Sequence, residues 1–316
     1  MRVAVLKGGR SLERQVSLRS GARVEDALSS LGHEVLALDV GADLVATLKR
    51  ERPEAAFIAL HGPGGEDGTV QELLEMLAIP YTGPGVAACI RCMDKVLAKH
   101  EIRAAGVPTP DWAAFNATAF RELGAGEALD EIEARLGFPL VVKPAAQGSS
   151  LGVQFASASD DVPEALVAAF SYDDRVLLER HVKGRELAVS ILAGEPLPIV
   201  EAIPRQEDLY DYEARYEIGR TRFVCPAELP EDITEEVQRE AVRTWEVLGC
   251  SGFARVDLIL GEEEGAQVLE VNAIPGLTDT SLMPQAAEAA GIAFEELVGR
   301  ILDLAFAKAA KTEPVG

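Results

Sequence analysis

The sequence predicts a mixed fold, in which a parallel α/β part is followed by an α+β part built on antiparallel strands. Over roughly the first ninety residues, apolar runs of strand length alternate with stretches of helical periodicity, which is typical of a parallel sheet. Farther along, apolar runs are paired across short turns, as at 253–260 and 267–272, and this pattern favours antiparallel hairpins. The alternation breaks near the segment PYTGPG, so we place a domain boundary near residue 94.

The composition is that of a globular and strongly acidic chain. It has 316 residues, of which 48% are hydrophobic, enough for two or three domains with a large core. Its net charge of −22 argues against nonspecific binding to nucleic acid or to an anionic membrane surface. The apolar run after Met1 is too short for a signal peptide, and no stretch is long enough to span a bilayer. We therefore expect a cytoplasmic protein.

The cysteines do not indicate a metal site or disulfides. Cys89 and Cys92 form a lone CxxC in a helix-like run, and no second CxxC is present to complete a zinc site. In a reducing compartment, four cysteines give no reason to infer disulfides.

The first part of the chain contains three predicted pairs of a strand and a helix. Strands are expected at 3–6, 33–40 and 55–60, and helices at 12–31, 42–51 and 68–78. The turn GGRSLE after the first strand matches neither GxGxxG nor GxxxxGKS, so it does not favour a dinucleotide site.

Two polar residues lie at the sheet edge where ligands collect in open α/β folds. Glu13 falls in the first turn of the helix after the first strand, where a carboxylate either binds an ammonium group or complements the helix dipole. His61 begins the long turn HGPGGEDG after the third strand, where it either contacts a substrate or has a structural role.

The middle part begins with a helix expected at 86–105, which carries the tripeptide MDK. Strands are then expected at 112–115, 139–143, 153–156 and 176–182, with helices at 129–136 and 163–170. The loop PAAQGSSLG joins two of these strands directly after Lys143. A loop rich in Gly and Ser between antiparallel strands can fold over a triphosphate, because its backbone N–H groups approach closely. The alternative is an ordinary hairpin loop with an exposed lysine.

The last part contains a hairpin at 186–192 and 197–203, helices at 233–248 and within 281–310, and an irregular segment at 208–225. An irregular segment of this length inside a compact domain is usually functional or disordered, and its tyrosines argue against disorder.

The hairpin at 253–272 carries three oxygen ligands. Alternate residues share a face of a strand, so Arg255 lies with Asp257, and Glu270 lies with Asn272. Two carboxylates and an amide suit Mg²⁺ when phosphate oxygens complete its coordination. The structural alternative is a solvated face on which Arg255 pairs with Glu270 across the strands. Ser281 lies where a helix should begin, and a helix start can receive a carboxylate.

Taken in order, these motifs resemble one family over nearly the whole chain. They are GGRSLERQVSLRSG, IALHGPGGEDGTVQ, MDK, VVKPAAQGSSLGV, YDYEARY, ARVDLIL and EVNAIPGLTDTSLMP. Each is weak by itself, but together they are similar to the motifs of the ATP-grasp superfamily and, within it, of the D-alanine:D-alanine ligase family.

The resemblance implies an ATP-grasp fold of three domains, at 1–94, 95–182 and 183–316. The first would be a Rossmann-like parallel α/β domain, and the other two α+β domains would hold ATP between them. The implied reaction joins two D-alanine molecules at the cost of ATP, through an acyl phosphate, for peptidoglycan precursor synthesis. A homodimer is the implied assembly.

The resemblance also implies which residues bind the cofactors. Two Mg²⁺ ions, with Mn²⁺ as a substitute, would be held by Asp257, Glu270 and Asn272, and a monovalent cation is a further candidate. The nucleotide would be bound by Lys95, Lys143, Ser149 and Arg215 near the phosphates, by Glu179, Arg180 and Val182 at adenine, and by Glu186 at the ribose. Leu269 and Glu270 are further implied nucleotide-binding residues.

The implied substrate and catalytic residues form a second set. Glu13 would bind the first D-alanine ammonium in a hydrogen-bonded set with Ser149 and Tyr216, and His61 would contact substrate. Arg255 and the Gly276 N–H would stabilise the oxyanion. Ser281 and Leu282 would receive the carboxylate of the second D-alanine.

Four positions depart from the family pattern, with Arg215, Gln147, Arg180 and Ala273 in place of lysine, glutamate, lysine and threonine.

Two alternative functions are compatible with the same motifs. One is a sister ligase for D-serine, D-lactate or another amino acid, and the other is a nucleotide-binding protein without catalysis. Tyr216 favours the dipeptide product over the D-lactate ester. A dinucleotide oxidoreductase would need a phosphate fingerprint that the sequence lacks.

Overall fold

A three-stranded parallel sheet opens the chain in the computed structural model, which describes residues 1–204 and 221–312. Its strand order is β2-β1-β3. The elements of this part are β1 (Arg2–Lys7), α1 (Arg14–Ser30), β2 (Glu34–Asp39), α2 (Leu44–Glu51), β3 (Ala55–Ile58) and α3 (Thr69–Met76). All four residues of β3 are buried, as expected for a strand of a parallel sheet covered by helices. The predicted alternation of strands and helices is confirmed.

The single helix expected at 86–105 is wrong, because the chain forms two helices, α4 (Val86–Met93) and α5 (Lys95–Ala104). Asp94 separates them with an extended backbone, φ −84° and ψ 98°. Its Oδ1 accepts hydrogen bonds from the N–H groups of Val96 and Leu97, both at 2.9 Å. An aspartate that caps a new helix in this way stabilises the break.

A four-stranded antiparallel sheet of order β4-β7-β5-β6 forms the middle part. Its elements are β4 (Trp112–Asn116), α6 (Ala117–Glu122), α7 (Leu129–Leu136), β5 (Leu140–Pro144), β6 (Gln154–Ala156), α8 (Val162–Phe170) and β7 (Arg175–Arg180). The short helix α6 was not predicted, although its cap is visible in the sequence: Asn116 Oδ1 accepts from the Ala119 N–H at 2.6 Å.

A second antiparallel sheet, of order β11-β10-β8-β12-β13 with β9 beside β8, forms the last part. Its elements are β8 (Gly184–Leu192), β9 (Glu195–Pro196), β10 (Val200–Pro204), β11 (Thr221–Val224), α9 (Glu231–Val247), β12 (Phe253–Gly261), β13 (Gly265–Asn272), α10 (Leu282–Ala289) and α11 (Phe294–Thr312). The prediction of an irregular segment through residue 225 is wrong at its end, because β11 pairs with β10 there. The rest of that segment lies outside the described residues.

The hydrophobic cores show how the parts pack. The parallel sheet and the five-stranded path of the last sheet share one continuous core, which runs from Val3 to Leu302. The middle sheet packs on a separate core around Leu140, Leu166 and Leu178. The middle part is therefore a lobe with its own interior, set against a larger body.

Each predicted domain range contains one sheet, while the boundaries at 94/95 and 182/183 stay a prediction. Among the described residues, no helix is both long enough and apolar enough to cross a bilayer.

Candidate active site

The hairpin of β12 and β13 brings the three predicted metal ligands together. Asp257 lies opposite Glu270, and Arg255 lies opposite Asn272. The Asn272 Nδ2 donates a hydrogen bond to Asp257 Oδ2 at 3.0 Å. The pairing shifts after Asp257, and this bulge leaves both Leu269 and Glu270 on the wall of the same cavity.

Each carboxylate of this set lies beside a cation. The Arg255 guanidinium donates two hydrogen bonds to the Asp257 carboxylate on the same strand, from Nε to Oδ1 at 2.6 Å and from Nη2 to Oδ2 at 2.8 Å. Lys95 Nζ lies 3.2 Å from Glu270 Oε2 and donates to the Gln147 carbonyl at 2.6 Å. The structural alternative placed Arg255 against Glu270, whereas the observed fork is on Asp257.

The hairpin fits a hard cation that is held together with a phosphate. Within the described part of the chain, no group of three or more His, Cys, Asp or Glu side chains forms a closed metal cage. Two carboxylates and one amide oxygen are too few ligands for such a cage, but Mg²⁺ commonly uses one or two carboxylates and completes its octahedron with water and substrate phosphate.

A cavity of about 390 Å³ lies between the two antiparallel sheets, a size that is usual for ligand pockets. The predicted site residues on its wall are Lys95, Lys143, Glu179, Arg180, Val182, Glu186, Asp257, Leu269 and Glu270. Apart from Val182, which lies just after β7, these residues come from α5 and from strands of both antiparallel sheets. The structure thus gathers around one cavity nearly all the residues assigned to the nucleotide.

The wall residues that the sequence reasoning missed include Phe155, His181 and Ile259. Phe155 and His181 meet edge to face with their ring centroids 5.3 Å apart. Alternation along the strand could have found Ile259, which lies two residues after Asp257 and therefore on the same face.

At the cavity wall, Lys143 and the more deeply buried Lys99 share the carboxylate of Glu179, which is 2% exposed. Lys143 Nζ lies 2.8 Å from Oε1, and Lys99 Nζ lies 2.5 Å from Oε2. Burial alone would raise the pKa of Glu179, but Lys143 and Lys99 hold it below its usual value. Lys99 was also missed, although it follows Lys95 by one helical turn on α5.

The two serines of the Gly- and Ser-rich loop, Ser149 and Ser150, have different surroundings. Ser150 and Leu151 lie on the cavity wall, whereas Ser149 does not. The Ser149 hydroxyl instead donates to Glu13 Oε1. Both serines have positive φ, 54° and 57°, a strained conformation that is common in functional loops. The structure therefore places Ser149 beside Glu13 and not on the wall of the cavity.

Glu13 is buried directly before α1, and two glycines make room for it. A Cβ at Gly62 would lie 2.6 Å from Glu13 Oε2, and one at Gly148 would lie 2.9 Å from the same atom. Loops of the first part and of the middle part thus close on one carboxylate. A buried carboxylate enclosed in this way suits an ammonium ligand. Its position directly before α1 is equally consistent with the alternative, in which Glu13 complements the helix dipole.

His61 holds a segment that follows β13. Its Nδ1 donates to the Ile274 carbonyl at 3.1 Å, and the Ser20 hydroxyl lies 3.0 Å from its Nε2. Ser20 Oγ also accepts from the Leu277 N–H at 3.2 Å. These contacts favour the structural role for His61, because both ring nitrogens are used to attach residues 274–277 to the first part of the chain.

The His61 contacts predict a pH-dependent stability. Burial lowers the pKa of His61 to about 4, so the folded state requires a neutral ring. The stabilisation is complete above the unfolded pKa of about 6.5 and is lost as the pH falls toward 4, which amounts to roughly 3 kcal/mol. In urea denaturation, the advantage of the wild type over His61→Gln should shrink by that amount between pH 7 and pH 4. A difference that stays constant over this pH range would contradict the assignment.

The segment before α10 forms the remaining predicted contacts. Ser281 has an extended backbone, and α10 begins at Leu282, as expected for a helix start. A Cβ at Gly276 would lie 2.7 Å from Ser281 Oγ, so the two residues are adjacent. Ser281 Oγ accepts from the Thr278 N–H at 3.0 Å. Arg215 and Tyr216 lie outside the described residues.

Comparison with known proteins gives consistent matches along the chain. The family models described as "D-ala D-ala ligase N-terminus" and "D-ala D-ala ligase C-terminus" match residues 43–84 and 102–303. A D-alanine–D-alanine ligase of Synechococcus sp. (strain JA-3-3Ab) is 45% identical over 99% of this chain and 96% of its own length.

Two solved structures of the Bacillus anthracis D-alanine–D-alanine ligase have the same fold. One superposes with a TM-score of 0.87 at 35% identity, covering 98% of this chain and 99% of the other. The second, complexed with ATP, superposes with a TM-score of 0.83 at 33% identity over the same shares.

Proposed function

The chain belongs to the D-alanine–D-alanine ligase family, and from this premise we propose that it joins two D-alanine molecules to D-alanyl-D-alanine, coupled to the cleavage of ATP to ADP and phosphate. The observation that supports this most strongly is the cavity between the antiparallel sheets. Lys95 and Lys143 lie on its wall together with Asp257 and Glu270, so cations for phosphate and carboxylates for a metal meet at one place. Phosphoryl transfer depends chiefly on such positioning and charge neutralisation.

The nucleotide is proposed to lie in this cavity with its phosphates toward Lys95. Adenine would lie by Phe155, Leu269 and the backbone of Arg180 and Val182, and the ribose by Glu186. Each oxygen of Glu179 forms an ion pair with a lysine, so its side chain would act on the nucleotide through Lys143. Arg215, outside the described residues, is the remaining proposed phosphate contact.

In the first step, the carboxylate of one D-alanine attacks the γ-phosphorus of ATP. The bond between the γ-phosphorus and the bridging oxygen breaks, its electrons stay on ADP, and an acyl phosphate forms. Glu13 would hold the ammonium group of this D-alanine, with Ser149 and Tyr216 completing the hydrogen-bonded set. Lys95 would leave Glu270 and turn to the transferred group, which places a cation where charge develops.

In the second step, the amine of the other D-alanine attacks the acyl carbon. The amine loses a proton to solvent, the carbon–oxygen bond breaks with its electrons leaving on phosphate, and the peptide bond forms. Arg255 and the Gly276 N–H would stabilise the oxyanion of the tetrahedral intermediate. Ser281 and the N–H of Leu282, at the start of α10, would receive the carboxylate of this D-alanine.

Several further properties are part of the proposal. Asp257, Glu270 and Asn272 would hold two Mg²⁺ ions, or Mn²⁺, which supply charge neutralisation to the phosphates when bound. A monovalent cation as activator, a homodimer and a cytoplasmic location are proposed from the family alone. The net charge of −22 supports a small-molecule enzyme that uses neither nucleic acid nor a membrane surface as a partner.

The proposed acceptor is tested by measuring phosphate release from ATP and Mg²⁺ with D-alanine, D-serine, D-lactate, L-alanine or no addition, with product masses. We expect phosphate release with D-alanine together with the mass of D-alanyl-D-alanine. Release that is faster with D-alanine plus D-serine, with a mixed dipeptide as the main product, would indicate a sister ligase. Nucleotide binding without release in any mixture would indicate a protein that has lost catalysis.

A further inference from the structure

We propose that Lys99 is a positioning residue for the nucleotide, which shares the carboxylate of Glu179 so that the charge of Lys143 remains for a phosphate group. This inference rests on the proposed function, because it requires Lys143 to contact a nucleotide phosphate.

Lys99 lies behind the cavity wall, where its ammonium group has three close polar contacts. It is 1% exposed and is absent from the cavity wall, whereas Glu179 and Lys143 lie on the wall. Its ammonium lies 2.5 Å from Glu179 Oε2 and donates to Thr109 Oγ1 at 2.5 Å and to the Pro110 carbonyl at 3.2 Å. These two hydrogen bonds and the ion pair hold the ammonium off the cavity wall.

The group formed by Lys99, Glu179 and Lys143 has more positive than negative charge. Two ammonium groups face one carboxylate, and all three side chains are buried. The pKa of Lys99 is lowered to about 8, chiefly by burial, with Lys143 and Arg103 adding to the shift and Glu179 opposing it. Because a net charge is costly in a buried place, the group favours a nearby anion. A phosphate group in the cavity can provide this negative charge by contacting Lys143, which lies on the wall.

Removal of Lys99 should therefore weaken phosphate binding from a distance. Without Lys99, Glu179 and Lys143 become a balanced pair, and Lys143 is held by the carboxylate. If the negative charge of Glu179 is then removed as well, no carboxylate neutralises Lys143, and its charge is again available to a phosphate group. A purely structural cross-link predicts the opposite, because two changes in one buried cluster would damage the pocket more than one.

The test is a set of dissociation constants for ADP and adenosine, measured by calorimetry with Mg²⁺ on the full chain. In Lys99→Met, ADP should bind about tenfold more weakly, because the balanced pair no longer attracts phosphate. Adenosine, which has no phosphate, should change by less than about twofold. Lys99→Met/Glu179→Gln should recover most of the ADP affinity. The control is Lys49→Met, an exposed lysine on α2.

The outcomes separate this inference from the proposed function. Equal losses for ADP and adenosine, unchanged ADP affinity in Lys99→Met, or no recovery in the double variant would each overturn the role of Lys99. If Lys143→Met leaves ADP affinity unchanged, the phosphate role of Lys143 fails, and the inference fails with it. If Lys99→Met does not fold, Lys99→Gln, which keeps donors for Thr109 and Pro110, provides the same comparison.

Discussion

The Glu270→Gln variant is expected to lose at least about a hundredfold in kcat for dipeptide formation, because a neutral amide binds Mg²⁺ much more weakly than the charged carboxylate that it replaces. Glu270 lies on the cavity wall opposite Asp257, and its Oε2 is 3.2 Å from Lys95 Nζ. Gln keeps the size of the side chain, so the change removes charge with little change in packing. Initial rates at saturating ATP over a Mg²⁺ titration measure the effect.

The matched control for this variant is Glu263→Gln. Glu263 lies in the turn of the same hairpin and is exposed, so its change alters the net charge by the same amount without touching the site. We expect wild-type rates from the control and an unchanged melting temperature from both variants. Undiminished activity of Glu270→Gln would remove the basis for the metal assignment on this hairpin.

The Glu13→Gln variant should raise the D-alanine concentration for half-maximal rate by at least about thirtyfold, because a buried charged partner of the substrate ammonium is lost. Glu13 is 5% exposed and accepts a hydrogen bond from Ser149, which a Gln oxygen can still accept. The KM for ATP should stay within about twofold, because Glu13 is not on the wall of the nucleotide cavity.

The control for Glu13 is Asp26→Asn, an exposed acidic residue farther along α1. It should behave as the wild type in both KM values. If Glu13→Gln changes only the stability and leaves the KM for D-alanine unaltered, then Glu13 complements the helix dipole, as the structural interpretation held.

The sequence was sufficient for those parts of the site that local geometry determines. Alternation along two strands brought Asp257 to Glu270, and the helix expected after Ser281 begins at Leu282. The break at Asp94 was missed because the apolar periodicity continues through it, although aspartate is a strong helix cap.

Contacts between distant segments could not be predicted in the same way. In the sequence, nothing distinguishes Lys99 from other lysines on helices. Only in the folded chain does β7 place Glu179 beside it, in a buried cluster of charged side chains. Likewise, nothing near His61 indicates that its ring nitrogens bind Ser20 and the Ile274 carbonyl. The two serines after Gly148 are adjacent in sequence, but the loop backbone directs one to Glu13 and the other to the cavity.

The most direct test of the central claim follows the carboxylate oxygen of D-alanine. With D-alanine labelled by ¹⁸O in its carboxylate, ATP and Mg²⁺, the released phosphate is analysed by mass spectrometry after ligation. Attack on the γ-phosphorus predicts that one labelled oxygen passes to phosphate for each dipeptide formed. Dipeptide formed together with unlabelled phosphate would contradict the acyl phosphate and the site built around it.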